Sequence, residues 1–202
     1  MTYPYYNVFL ILYESETTAM HCVKTINIER DYGSTRFFLL ASIVFFVTFC
    51  VSYISTSYNY PSFHRSNYLP LFLLSLFLLY PIHKFFHIIL FVIFRKPVRL
   101  KIVQKYYMMP VIHAEILDIV SRRLYSWALA LPFVCLNSFF IYGAFTWPAY
   151  AHYFSILLAL HCSICLVDLL FLRQILSAPK HAYIEETPKG YEILIQDATY
   201  LT

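Results

Sequence analysis

Tyr80-Pro81-Ile82-His83-Lys84-Phe85-Phe86-His87 lies inside a long apolar run, and its three ionisable side chains decide how the rest of the chain is read. Placing a charge near the centre of a bilayer costs about 2.5–3.5 kcal/mol on insertion scales, so such groups face a partner, a cavity or an ion. His83 and His87 stand four residues apart, and a helix therefore puts both imidazoles on one face, one turn apart. That spacing suits a single metal ion.

The composition around this stretch is that of a membrane protein. Of 202 residues 60% are hydrophobic, 20% aromatic and 13% charged, whereas a soluble domain carries about a quarter charged residues. The net charge of +4 is first to be tested against topology, which absorbs most of the basic residues, and no nucleic-acid partner is expected. Cys22, Cys50, Cys135, Cys162 and Cys165 are scattered through apolar segments without the spacing of a secreted disulfide framework. No N-terminal segment combines a basic start, a short apolar core and a cleavage site, so the first span is expected to act as an uncleaved signal.

Four apolar segments, about Phe37–Ser55, Leu69–Phe94, Leu124–Phe145 and Tyr150–Leu172, approach or exceed the roughly 20 residues that a bilayer core of about 30 Å demands. The expected fold class is an all-α polytopic membrane protein with four transmembrane helices and a short cytoplasmic C-terminal β-hairpin. Its parts are a cytoplasmic N-terminal segment (1–36), a transmembrane domain (37–176) and a cytoplasmic tail (177–202). Basic residues set the orientation. Lys24, Arg30 and Arg36 precede the first span, Arg95, Lys96, Arg99, Lys101, Lys105, Arg122 and Arg123 fill the middle connection, and Arg173, Lys180 and Lys189 follow the last span. Arg65 alone stands on the opposite side, so both termini are expected in the cytoplasm.

Outside the spans, the Tyr-rich opening from Tyr3 to Tyr13 is too short to cross a bilayer, and Met20 is a candidate start. Pro97 and Pro110 interrupt the middle connection, whose second half, Val111 to Arg123, reads as a short interfacial helix that carries His113 and whose acids Glu115 and Asp118 balance neighbouring arginines. After Ser177-Ala178-Pro179 the period changes. Ala182 to Gln196 reads as two short strands around Thr187-Pro188-Lys189-Gly190, a turn with Pro second and Gly fourth. A lone hairpin is marginal in water, so this one is expected to pack on the membrane domain or on an N-terminal strand. Tyr58, Tyr60, Tyr68, Trp147, Tyr150 and Tyr153 cluster where an outer aromatic belt would lie.

A metal held by two histidines of one helix needs at least a third protein ligand, usually from a neighbour. The fourth span offers His161, Cys165 and Asp168 at i, i+4 and i+7, on one stripe. Asp168 is the only acidic residue in any of the four spans. The second and fourth spans run in the same direction, so depth can be compared. At 1.5 Å per residue His87 lies about 12 Å before Arg95, and Asp168 about 8 Å before Arg173. The two can meet in the inner half of the bilayer.

The HxxxH pair in a membrane helix, a last span ending in Val167-Asp168-Leu169-Leu170, a Pro-containing break and a short strand pair together resemble the putative zincin-peptidase family of small bacterial membrane proteins. That family is similar in outline to the site-two-protease-like membrane metalloproteases. The resemblance covers roughly Cys22 to Ile195 and implies a bacterial inner-membrane location, Zn2+ as cofactor and His83, His87 and Asp168 as its ligands. Zincins read His-Glu-x-x-His, the Glu being the general base. Here Lys84 holds that position.

A lysine beside a dication is repelled as a cation or pushed to the neutral amine, so ordinary zincin hydrolysis is not expected. The expected function is therefore a zinc-binding, catalytically impaired relative that binds a membrane segment or a cytosolic peptide. An active metalloprotease with an unusual base remains an alternative. So does a non-metal scaffold, in which the histidines bond neighbouring helices and Lys84 pairs with Asp168. His161 or His152 opposite His83 or His87 also permits a haem or small-molecule carrier. Cys162 and Cys165 form a C-x-x-C but read as small apolar side chains within a helix.

Overall fold

The computed structural model describes residues 20–26, 33–60, 65, 67–106, 109–187 and 190–196. The Tyr-rich opening lies outside them. Four helices dominate the chain: α1 (Ser34–Asn59), α2 (Leu69–Ile93), α3 (Arg122–Thr146) and α4 (Ala151–Leu176). Each has 25 or 26 residues, about 38 Å at 1.5 Å per residue, enough to cross a hydrocarbon core of about 30 Å. All four are long and apolar enough to be membrane spans.

Their outer surface is unlike that of a soluble protein, although the interior is still mostly apolar, with Leu79, Leu136, Phe140, Leu157 and Leu158 in one buried cluster. Phe38, Phe46, Val51, Phe77 and Trp127 point outward, while the buried polar set consists of Thr56, His83, Asn137, Ser155, His161 and Asp168. In lipid an outward Phe is at no disadvantage, and a polar group gains only by facing another polar group inside the bundle. The interior therefore collects the chemistry.

Helix α4 lies between α1 and α3, and α2 packs chiefly on α3. Hydroxyls tie α4 to α1: Ser52 Oγ donates to Ser155 Oγ across 2.6 Å, and Ser163 Oγ donates to the carbonyl of Ala41 across 2.9 Å. Gly143 lets α3 approach α4, since a Cβ there would stand 2.4 Å from the ring of Phe154. A single turn, Pro148–Tyr150, joins these two helices. α3 and α4 consequently run as a tight antiparallel pair, and both have residues at the polar centre.

Strand content exceeds what an all-α class allows. Among the described residues six strands form: β1 (Met20–Ile26), β2 (Val98–Tyr106), β3 (Met109–Ile116), β4 (Val120–Ser121), β5 (Tyr183–Thr187) and β6 (Gly190–Gln196). The expected C-terminal hairpin is β5–β6, closed where Thr187 faces Gly190, and its outer partner is the N-terminal strand β1, with β4 on the other edge. The interfacial helix expected over Val111 to Arg123 is absent. Val111 to Ile116 belong to β3, paired antiparallel with β2, and α3 already begins at Arg122. The β-branched residues Val98, Ile102, Val103, Val111, Ile112 and Ile116 favour the ladder, and a two-stranded ribbon tolerates Pro110 because its missing N–H can face away from the partner.

The four-stranded sheet closes the end of the bundle at which α2 stops and α3 starts. Ile26, Val120, Ile184 and Ile193 from the sheet pack with Phe91, Tyr125 and Ile175 from the helices in one buried cluster. Arg122 fastens the corner, its N–H bonding to Ala182 O and its guanidinium to Leu176 O at the end of α4. Asp118 pairs with Lys96 across 2.6 Å at the surface, in keeping with a charge-balancing role.

Candidate metal centre

Three helices converge on the polar centre. α2 supplies His83 and His87, α4 supplies His161, Cys165 and Asp168, and α3 supplies Asn137 and the carbonyl of Ala128. His83 and His161 are 1% and 0% exposed and Asp168 8%, so water satisfies little of this cluster. His83 Nε2 lies 3.1 Å from His87 Nε2 and 3.2 Å from Asp168 Oδ2, and His87 Nε2 lies 3.5 Å from the same oxygen. The three residues picked out from spacing and depth thus form one small triangle.

Protons on these rings follow from their outer partners. His87 Nδ1 stands 2.8 Å from Ala128 O; a carbonyl only accepts, so Nδ1 carries the proton and Nε2 of the neutral ring presents a lone pair. The carbonyl of Ala128 is available for a reason written in the sequence. Residue 132, whose N–H would normally bond it within the helix, is Pro132, which has no N–H to give. The helix leaves one acceptor bare, and His87 takes it.

His83 is set by a longer chain. His161 Nδ1 donates to Asn137 Oδ1 across 2.7 Å, leaving His161 Nε2 as the acceptor for His83 Nδ1 at 3.2 Å. With its Nδ1 proton so engaged, His83 also turns a bare Nε2 toward Asp168. Turning the Asn137 amide over would reverse every donor in the chain and put a proton on His83 Nε2 instead. Asn137 is therefore the residue that selects between a lone pair and a proton at that atom.

With Asn137 in this orientation both Nδ1 protons are committed, two imidazole lone pairs and a carboxylate oxygen face one another, and the neighbours of the buried Asp168 Oδ2 are those two histidine nitrogens. Electron-rich atoms this close repel unless a cation stands among them. Zinc fits the set: bonds of 2.0–2.1 Å in a tetrahedron hold donor atoms about 3.3 Å apart, against the 3.1, 3.2 and 3.5 Å found. The bonds to Ala128 O and His161 Nε2 are of the kind that would orient these histidines toward a metal.

A second donor group, His83, His161 and Cys165, also lies close together. Its His83 atom is Nδ1, whose proton is engaged with His161, and the Cys165 thiol sits 3.4 Å from His161 Nε2. That group works as a support of the triangle. Among the described residues the ion pairs of Asp168 are with the two histidines, and the Lys84 ammonium stands 5.9 Å from the centroid of the Tyr80 ring. Asn137, Pro132 and Ala128 were absent from the site as read from sequence, since none of them carries a charge that would mark it within an apolar helix.

One face of the triangle opens into a cavity of about 100 Å³. His87, Asp168 and Lys84 line it from the helices, together with Tyr125 of α3, and Glu186 and Tyr191 line it from β5 and β6. The sheet thus forms one wall of the approach to the histidines. No curated protein and no solved structure matches the chain. A family model does match, over residues 76–183, a range that holds His83, His87 and Asp168 and more than half of the sequence. The chain belongs to the family described as putative zincin peptidase.

Proposed function

We propose that the chain holds one zinc ion through His83, His87 and Asp168 and receives a membrane segment or cytosolic peptide in the cavity beside them. The observation that carries this is the buried oxygen of Asp168, faced by two histidine nitrogens whose other protons are already engaged. Zinc bound there supplies Lewis acidity toward a carbonyl or water. The chain's own part is to hold the ligands, exclude water on the buried side and admit a peptide from the sheet side. Lys84 at the usual base position removes ordinary helix-borne proton transfer, so in this proposal the site binds a peptide, and hydrolysis is impaired unless a base comes from outside α2. An active form is the second reading, favoured by the carboxylate of Glu186 in the same cavity.

The proposed setting is the inner membrane of a bacterium with both termini in the cytoplasm, following the basic residues. Metal analysis of purified wild type beside His83→Ala and Asp168→Ala tests the proposal. One zinc per chain in the wild type and none in the variants is expected. The same metal content in all three, or none in wild type, overturns it; in the latter case a Soret band would point to haem and a colourless preparation to a metal-free scaffold.

A further inference from the structure

Zincin chemistry needs a carboxylate beside the ion, and α2 offers a lysine there. The cavity that touches His87 and Asp168 nevertheless contains a second carboxylate, Glu186, near the end of β5. Glu186 thus lines the same cavity as two residues of the metal triangle, and water inside that cavity has access to all three. Glu186 Oε2 accepts the N–H of Ile116 across 3.1 Å, which ties the carboxylate to β3 and fixes where it stands. Tyr191, also on the cavity wall, is held well above the ordinary phenol range, first by burial and then by the negative charge of Glu186. Its hydroxyl stays a donor.

We propose that Glu186 is the general base of this chain, in the place that a helix glutamate holds in other zincins; this rests on the zinc site proposed above. The Glu186 carboxylate takes a proton from water as the water oxygen bonds to the carbonyl carbon of the scissile amide. The same carboxyl then gives that proton to the amide nitrogen as the C–N bond breaks. One water is consumed, a carboxylic acid and an amine are released, and Glu186 returns as carboxylate. Lys84, across the same cavity, brings a positive charge to where negative charge develops on the carbonyl oxygen. Base and cation have exchanged elements: the helix holds the cation and the sheet holds the base. Glu186 also lies beyond the residues that the family model matches, which end at 183.

Acetohydroxamate tests this without a known substrate, because a general base at Glu186 would take up and hold the N–OH proton as the hydroxamate binds the metal, strengthening the complex. The full chain is loaded with zinc in detergent micelles, and the hydroxamate is titrated by calorimetry into wild type, Glu186→Gln and Glu185→Gln. The expected result is one zinc in each protein, unchanged affinity for Glu185→Gln, whose position is exposed, and at least tenfold weaker binding for Glu186→Gln. Glutamine still accepts the Ile116 N–H, so the strand contact survives the change. Equal affinity in wild type and Glu186→Gln overturns the proposal while leaving the zinc site standing. Loss of zinc in Glu186→Gln overturns it too, by making the residue structural, as does zinc-loaded wild type that ignores the hydroxamate. Wild type that holds no zinc overturns the metal site and this proposal together.

Discussion

His87 Nδ1 donates to the carbonyl oxygen of Ala128 across 2.8 Å, and that carbonyl stands four residues before Pro132 in the same helix. A helix-interior proline is usually counted as a cost of about 3 kcal/mol. Here it leaves an acceptor for a ring on another helix. Pro132→Ala returns an N–H that competes for Ala128 O, so the helix should gain stability while His87 loses its fixed tautomer. We expect a higher unfolding midpoint for the zinc-free protein together with about tenfold weaker zinc binding, read by competition with a chromogenic chelator. A fall in both quantities would show that Pro132 matters only for packing.

Asn137 acts on the other histidine through His161. Asn137→Asp keeps an acceptor toward His161 and cannot turn over to donate, so zinc affinity should be kept or rise. Asn137→Leu removes the acceptor and should cost about 10- to 100-fold in affinity. The pair of variants is compared by the same chelator competition. Equal loss in both would mean that the Asn137 to His161 bond does not set the proton on His83.

How far the site could be read from the sequence depends on what kind of residue carries each part. The four helices were legible because long apolar runs admit one interpretation in lipid, and His83, His87 and Asp168 stood out because ionisable groups there are costly. The β5–β6 hairpin showed itself through Pro188 and Gly190. Strands β2 and β3 did not: their basic residues suggested an interface, and short stretches of mixed polarity carry too weak a period to separate strand from helix. Asn137 and Pro132 carry no charge and fit an apolar helix without comment, so their roles emerge only once α3 is seen beside α2 and α4. Glu186 sits in a strand whose position over the metal triangle depends on long-range pairing that no local signal reports.

Chelation should loosen the whole bundle. A ligand that binds only the folded chain stabilises it by about 2.7 kcal/mol when present at 100 times its Kd. Because the triangle joins α2 to α4, zinc removal by EDTA should lower the thermal midpoint in detergent, and zinc should restore it. Asp168→Ala and His83→Ala should start low and respond to neither reagent. A wild-type midpoint indifferent to EDTA would count against a metal at this position.

Gly143 offers a test of helix packing away from the metal. Gly→Ala within a helix normally stabilises by about 1 kcal/mol, but a Cβ at Gly143 would lie 2.4 Å from the Phe154 ring, which stacks in turn on Trp147. The ring cannot swing without disturbing that stack, so Gly143→Ala should destabilise by about 1–3 kcal/mol. Gly143→Ala combined with Phe154→Leu should recover part of the loss. A stabilised single variant would show that α3 and α4 have room to spare.

The orientation makes the last prediction. If the basic flanks are cytoplasmic, as proposed, β1 and the sheet that walls the cavity would lie on that side, and Arg65, whose N–H bonds Ala149 O, on the other. Cys22 is exposed on β1. A membrane-impermeant maleimide should label Cys22 in inverted vesicles and spare it in right-side-out ones, while Arg65→Cys should behave in the opposite way; labelled peptides are read by mass spectrometry. The outcome also bears on the peptide that the cavity admits. If Cys22 reacts from the cytoplasm, a chain reaching Glu186 and the histidines enters from the cytoplasm, and if the pattern is reversed, the same cavity serves segments presented from outside.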